Sequence, residues 1–165
     1  MSQQLPAIID LEASGFGRGS YPIEVGFALE DRVVHSYLIR PAPTWQHWSD
    51  EAEQIHGISR ERLLADGINV REVALQMNQL LAHKTLYSDA WSFDSSWVGR
   101  LFEEAELVQR FRIETINKLL TPQQMEIWHD TKQQLWQQQA FHRHRAANDV
   151  QVLQETFLQV TGTPA

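Results

Sequence analysis

Four acidic side chains stand where a folded chain ordinarily buries hydrocarbon. In the stretch AIIDLEASG, residues 7–15, the residues Ala7, Ile8, Ile9 and Leu11 read as a strand apolar on both faces, hence a central one. Asp10 and Glu12 interrupt it. Side chains alternate along a strand, so both project from the face of Ile8, roughly 6–7 Å apart. Buried like charges are costly unless something pairs with them. Near the C-terminus, Ala146, Val150, Leu153, Phe157 and Val160 mark a helical stripe, and Asp149 falls at its edge. In FDSSWVGRLFEEAEL, Asp94 is in line with Val98, Leu101 and Ala105, near the middle of an apolar face. Each acid alone has a plain explanation: a strand-end acid is solvated, and an Asp in a first helical turn favours the dipole. Four of them on three elements point to one shared counter-ion. Hard oxygen donors in a chain without cysteine suit Mg²⁺ or Mn²⁺.

A histidine completes the set. His144 lies five positions before Asp149, and on a continuous helix the two would point about 140° apart. They serve one site only if His144 precedes the regular helix. A loop histidine with a pKa near ~6.5 suits a general base. The alternative is that His142, Arg143, His144 and Arg145 form an exposed polar turn.

The elements that must position these groups follow from patterning. Residues 6–12 are the first strand, and PIEVGFALE and VVHSYLIR form a hairpin turning at Glu30 and Asp31. SDEAEQIHG is a short helix capped by Ser49 and ended by Gly57. NVREVALQMNQLLAHK is a longer helix, with Asn69 and Glu72 in a capping-box pattern and a stripe of Val73, Met77, Leu80 and Leu81. TLYSDA is a short strand, FDSSWVGRLFEEAEL a helix and FRIET a further strand. Thr121 and Pro122 open a long helix through about Ala140, with a face of Met125, Trp128, Leu135 and Trp136; its glutamines form a solvated face. RAANDVQVLQETFLQV is the last helix. A strand hairpin followed by mixed strands and helices implies an α/β sandwich around a mixed sheet.

Composition sets limits. The 165 residues suffice for one domain with a substantial core. A net charge of −7 argues against a passive nucleic-acid coat, which needs a basic surface, but not against an enzyme that meets phosphate through cations. Of the 14 basic residues 11 are arginine, whose fork suits phosphate. Without cysteine there is no disulfide, thiolate zinc site or thiol nucleophile. MSQQLPAIID lacks the features of a signal peptide, and no apolar run is long enough to span a bilayer. The expectation is a cytoplasmic protein with no membrane partner.

The order of these residues resembles the DEDDh 3′–5′ exonucleases of the ribonuclease H-like superfamily. DLEASG (Asp10, Glu12, Ser14, Gly15) is similar to the family's Asp-x-Glu-x-Thr/Ser-Gly motif. YPIEVGFAL is similar to its second strand, and EQIHGIS to a His-Gly-Ile element near the substrate. DAWSFD, ending at Asp94, aligns without a gap on His-Asn-Ala-x-Phe-Asp, and HRAAND on His-x-Ala-x-x-Asp. The resemblance runs from about residue 7 to 160. It departs at Asp89 and Ala90, which replace His-Asn, and the helix at about 122–140 matches no motif. What it implies is a single exonuclease domain over residues 1–165, with short tails at about 1–5 and 161–165. The fold would be α/β, a ribonuclease H-like mixed β-sheet flanked by α-helices.

The implied chemistry uses two divalent ions, Mg²⁺ or Mn²⁺, roughly 4 Å apart. Asp10 would bridge both, and Glu12, Asp94 and Asp149 would complete the ligand set. His144 would take the proton from the attacking water, releasing a nucleoside 5′-monophosphate. Ser14, Gly15, Phe16 and His56 would bind substrate, with Phe16 as an apolar wedge against the terminal bases. Trp91 and Phe93 are weaker candidates, and core packing is expected of Phe93. The partner would be DNA or RNA with a 3′ end, single-stranded favoured, with a homodimer or a polymerase or repair protein as further associates. Two alternatives are a catalytically inactive nuclease-like module for nucleic-acid binding or assembly, and an endonuclease on the same fold. GFGRG after a strand is similar to a dinucleotide-binding turn, but a second strand and not a helix follows it, which sets that reading aside.

Overall fold

The central position of the first strand is met. In the computed structural model, which describes residues 5–138 and 144–162, β1 (Ile8–Ala13) lies in the middle of a five-stranded sheet. Its neighbours are β2 (Pro22–Ala28), antiparallel, and β4 (Thr85–Ser88), parallel. β3 (Val34–Leu38) extends the sheet antiparallel beyond β2, and β5 (Arg112–Thr115) extends it parallel beyond β4. The strand order is β3-β2-β1-β4-β5.

Alternation along β1 divides the core. Ile9 and Leu11 join one apolar cluster with Val73 and Met77 of α3 (Val70–Leu81) and Val98 and Leu101 of α4 (Trp91–Ala105). Ile8 turns to the other face, against Trp128 of α5 (Pro122–Gln138) and Val150, Leu153 and Phe157 of α6 (Ala146–Thr161). Asp10 and Glu12 share the face of Ile8, so the sheet presents them to α6.

Local signals define most helix ends. Ser49 accepts the amide of Ala52 at the start of α1 (Asp50–His56), and Gly57 closes that helix at φ 73°. Asn69 accepts the amide of Glu72 to start α3. Thr121 and Gln124 exchange hydrogen bonds in a reciprocal cap, with Pro122 preset for the first turn of α5. The patterning gave no sign of α2 (Arg60–Asp66), two turns capped by Ser59. Helix α4 starts at Trp91, ahead of the expected Phe93. On α5, Trp128 and Leu135 are buried as expected but Met125 is exposed. The expected end of α5 near Ala140, and a polar turn at His142 and Arg143, lie outside the described residues. No helix among the described residues is long and apolar enough to cross a membrane.

Candidate active site

The site is built where β4 ends beside the continuing β1 and the chain leaves β4 into α4, the crevice at strand carboxyl ends where α/β sheets place ligands. Opposite Asp10 on β2 stands Gly26, and opposite Glu12 stands Glu24. A Cβ on Gly26 would lie 2.7 Å from the carbonyl carbon of Ala146. Glycine therefore lets the first turn of α6 rest directly on the sheet. Glu24 is only 2% exposed and is held by Arg145, at 2.8 Å from Nη2 and 3.1 Å from Nε. The same carboxylate accepts the Ala146 amide at 2.8 Å. Arg145, the residue before the helix, makes no side-chain cap of its own; Glu24 supplies that acceptor from across the sheet.

This docking aims α6 at the strand. Asp149, in the first turn, comes within hydrogen-bonding reach of both Asp10 and Glu12. His144 precedes the helix, as a shared site requires, in a left-handed turn at φ 66°. Its amide donates to Asp149 Oδ1 at 3.1 Å. One ligand atom each from Glu12, His144 and Asp149 lies within 4.8 Å of the other two. Asp94 enters from α4 and is 1% exposed, its oxygens taken by the Leu11 amide at 3.2 Å and the Ser88 hydroxyl at 2.6 Å.

The electrostatics are those of an uncompensated cluster. Burial above all, then Asp149, Asp94 and Glu12, holds Asp10 well above the usual carboxylate range. Burial and then Asp149 push Glu12 up to about 10. Burial raises Asp94 to about 7, against the opposing hydrogen bond from Ser88. Among the described residues, Asp10 Oδ2 is buried with no hydrogen-bond partner. Ionised carboxylates cannot donate to one another, so this packing calls for protons or cations between them. A set of oxygen donors with one nearby imidazole fits a hard divalent ion.

Around the acids lies a cleft of about 240 Å³. One wall holds Gly15, Phe16, Ile55 and His56; a second holds Asp89, Phe93 and Trp97; the third is α5 and α6, with Lys132, Trp136 and His144. His56 is buried; its Nδ1 accepts the Ile58 amide at 3.0 Å, so the proton sits on Nε2, which has no partner among the described residues. Burial lowers its pKa and keeps it neutral. Phe16 is 71% exposed and meets Phe93 edge-on at 6.0 Å between ring centres and Trp97 at 6.4 Å.

Several expected positions differ. Phe93 is not core: it is 49% exposed, one position off the buried stripe of Asp94, Val98, Leu101 and Ala105 on α4. Trp97, not anticipated, stands one turn further on the same face of α4, a spacing visible in the sequence. Trp91 is half-exposed and ties its indole to the Ile113 carbonyl at 3.0 Å, away from the cleft lining. Ser14 is fully buried; its hydroxyl accepts the Tyr21 amide at 3.0 Å and meets His47 Nδ1 at 3.0 Å, so it braces the loop without lining the cleft. Gly15 does line it, and a Cβ there would lie 2.6 Å from the His47 ring. Asp89 is ion-paired with Lys132 at 2.7 Å. Glu24, Arg145 and Lys132 also went unforeseen.

No protein-family model matches the sequence, and no curated protein matches it. Solved structures do. E. coli exonuclease I in complex with a dA16 oligonucleotide is 13% identical at a TM-score of 0.73, the match covering 98% of this chain and 41% of that one. The zinc-bound form of the E. coli exonuclease I complex with single-stranded DNA gives the same values, 13%, 0.73, 98% and 41%. A structure of SSB and exonuclease I with an inhibitor is 14% identical at a TM-score of 0.59, over 78% of this chain and 31% of that one. The chain spans less than half the length of these exonuclease I chains. Its mixed sheet, flanked by the helices described above, is the ribonuclease H-like α/β fold found in exonuclease I.

Proposed function

We propose that this protein is a metal-dependent 3′–5′ exonuclease, a single domain that hydrolyses terminal phosphodiesters of DNA or RNA and releases nucleoside 5′-monophosphates. One observation carries the proposal. Acids from β1, α4 and α6 converge with His144 on one cleft, and burial drives three of the carboxyls toward protonation unless cations compensate. The oligonucleotide complexes of exonuclease I, on the same fold, agree with it.

Asp10, Glu12, Asp94 and Asp149 would hold Mg²⁺ or Mn²⁺. Bound there, the ions would offset the charge of the scissile phosphate and stabilise the attacking and leaving oxygens. His144 takes the proton of the attacking water, and the hydrogen bond from its amide to Asp149 holds the left-handed turn that aims it. His56, neutral with its proton on Nε2, donates a hydrogen bond to a substrate oxygen. Phe16, Phe93 and Trp97 offer ring faces to unpaired bases, a contact worth roughly 1–3 kcal/mol per base and indifferent to sequence. Three walls around the acids favour a single strand over a duplex. With a net charge of −7, binding is weak and salt-sensitive, and cleavage is distributive.

The test is digestion of 5′-labelled single- and double-stranded DNA and RNA oligonucleotides with Mg²⁺ or Mn²⁺, and again in EDTA. Ladders shortening from the 3′ end, lost in EDTA, are expected. Full activity in EDTA, or no hydrolysis of any substrate, refutes the proposal.

A further inference from the structure

Among the described residues, the side chains lining the cleft include five carboxylates, Asp10, Glu12, Asp89, Asp94 and Asp149, and one lysine or arginine, Lys132. It comes from α5, the helix without a counterpart among the motifs. Lys132 and Trp136 stand one helical turn apart and both line the cleft, on the same side of α5 as the buried Trp128 and Leu135. The ammonium lies 2.7 Å from Asp89 Oδ2, and the two side chains are 21% and 15% exposed. Asp89 itself follows Ser88 at the end of β4 and precedes α4, close enough to Asp94 to raise its pKa further.

As a strut alone this pair is poorly explained. Removing two charges from water costs about as much as their attraction returns, and an apolar pair would tie α5 to the β4–α4 turn equally well. A half-buried ammonium has a further property: it carries three donors, and Asp89 takes one. The remaining donors sit on the wall of a cleft that, on the nuclease reading, must accept a phosphodiester. Divalent ions would offset the charge of Asp10, Glu12, Asp94 and Asp149, while Lys132 and Asp89 cancel each other. Among the described residues, the ammonium of Lys132 is the lysine or arginine group in the cleft that can meet the charge brought by the nucleic-acid backbone.

We propose that Lys132 is a substrate-binding residue of the cleft that holds a non-bridging oxygen of the nucleic-acid backbone, with Asp89 as the residue that positions its ammonium. This rests on the function proposed above. It also assigns the departure at Asp89: where the resembled family has His-Asn, this chain has an acid that holds a lysine from α5, the helix that matches no family motif.

The experiment measures binding of a fluorescein-labelled single-stranded DNA oligonucleotide across a salt series, and steady-state KM with Mn²⁺, for wild type, Lys132→Gln, Lys132→Arg and Asp89→Asn. One fewer phosphate contact lowers the slope of log K against log salt by about 0.7 for a single strand. Lys132→Gln should show that loss, with KM raised about tenfold and with Mn²⁺ affinity, measured by calorimetry, and far-UV circular dichroism as in wild type. Lys132→Arg should restore the slope. Asp89→Asn should raise KM and keep the slope, since the charge remains but is less well held. An unchanged slope and KM in Lys132→Gln overturns the assignment, as does a lowered melting temperature with the slope intact, the signature of a strut. If wild type cleaves and Lys132→Gln behaves like it, only this inference falls. If wild type neither binds nor cleaves any oligonucleotide, the nuclease proposal falls with it.

Discussion

Glutamine in place of Glu12 should make the metal-free protein more stable at neutral pH, although it removes a group proposed to be essential. Burial and the neighbouring Asp149 raise the Glu12 carboxyl from 4.5 to about 10. Below 4.5 the acid is protonated in both the folded and the unfolded chain and contributes nothing. Between 4.5 and 10 the unfolded chain has lost the proton and the folded chain keeps it, so stability falls as pH rises, by about 1.4 kcal/mol per unit. From 4.5 to 7 this reaches about 3 kcal/mol, and the partial exposure of Glu12 to solvent reduces it to about 1.5–3 kcal/mol. A side-chain amide at this position has no such proton to lose. In EDTA at pH 7, Glu12→Gln should therefore melt about 3–12 °C above wild type, the usual conversion for a chain of this size. The two should converge near pH 4.5. Saturating Mn²⁺, which binds the folded chain alone, should reverse the order. The assay is thermal unfolding by circular dichroism across pH, with and without Mn²⁺. A variant less stable than wild type at pH 7 in EDTA, or a difference that does not vary with pH, would refute the electrostatic account of the cluster.

Three further outcomes are expected. His144→Ala should slow hydrolysis about 10²–10⁴-fold, the range of general-base contributions, with Mn²⁺ affinity reduced far less; since its ring lies within 4.8 Å of the Glu12 and Asp149 donors, a collapse of affinity in calorimetry would make it a ligand instead. Asp94→Asn should remove nearly all activity at every Mn²⁺ concentration while the chain still folds, because an amide can still accept the Leu11 amide or the Ser88 hydroxyl but carries no charge; a kinetically normal variant would exclude Asp94 from the ligand set. Gly26→Ala should cost about 1–3 kcal/mol of stability, read as a lower melting temperature, because its Cβ meets the backbone of Ala146 at 2.7 Å. The displaced start of α6 should reduce kcat by about 10²-fold.

What was legible in the sequence is what neighbouring residues encode. Asp10 and Glu12 stood out against Ile8, Ile9 and Leu11, and Asp94 against Val98 and Leu101, since a charge among periodic apolar residues is a contradiction visible within one element. The angle between His144 and Asp149 required a break before α6 if the two were to serve one site, and α6 does start after His144, at Ala146. Ser49, Gly57 and Asn69 cap their helices through atoms three or four residues away. What stayed hidden joins distant positions. Arg145 and Glu24 are 121 residues apart, Lys132 and Asp89 are 43 apart, and a charge on an otherwise polar stretch such as α5 carries no periodic signal of its partner. Phe93 was misplaced for a different reason: an aromatic residue in a first helical turn suits a core and a ligand wall equally, and Phe93 lies one position off the buried stripe of Asp94, Val98, Leu101 and Ala105.

The docking of α6 on β2 has a consequence for when competence is acquired. Asp10 lies on the first strand and Asp149 on the last helix, and Glu24 and Gly26 of β2 seat that helix through Arg145 and Ala146. Strands β1 to β3 can pair through short loops while the rest of the chain is still unstructured, but the seat on Glu24 waits for an arginine 121 positions further on. A fragment ending before that turn lacks the cover that α6 gives to Ile8, Ala28 and the Asp10 face of the sheet, and it lacks both His144 and Asp149. The chemistry proposed for this cleft is in that sense tied to long-range closure: without the contact between Glu24 and Arg145, the acids of β1 have neither His144 nor Asp149 beside them.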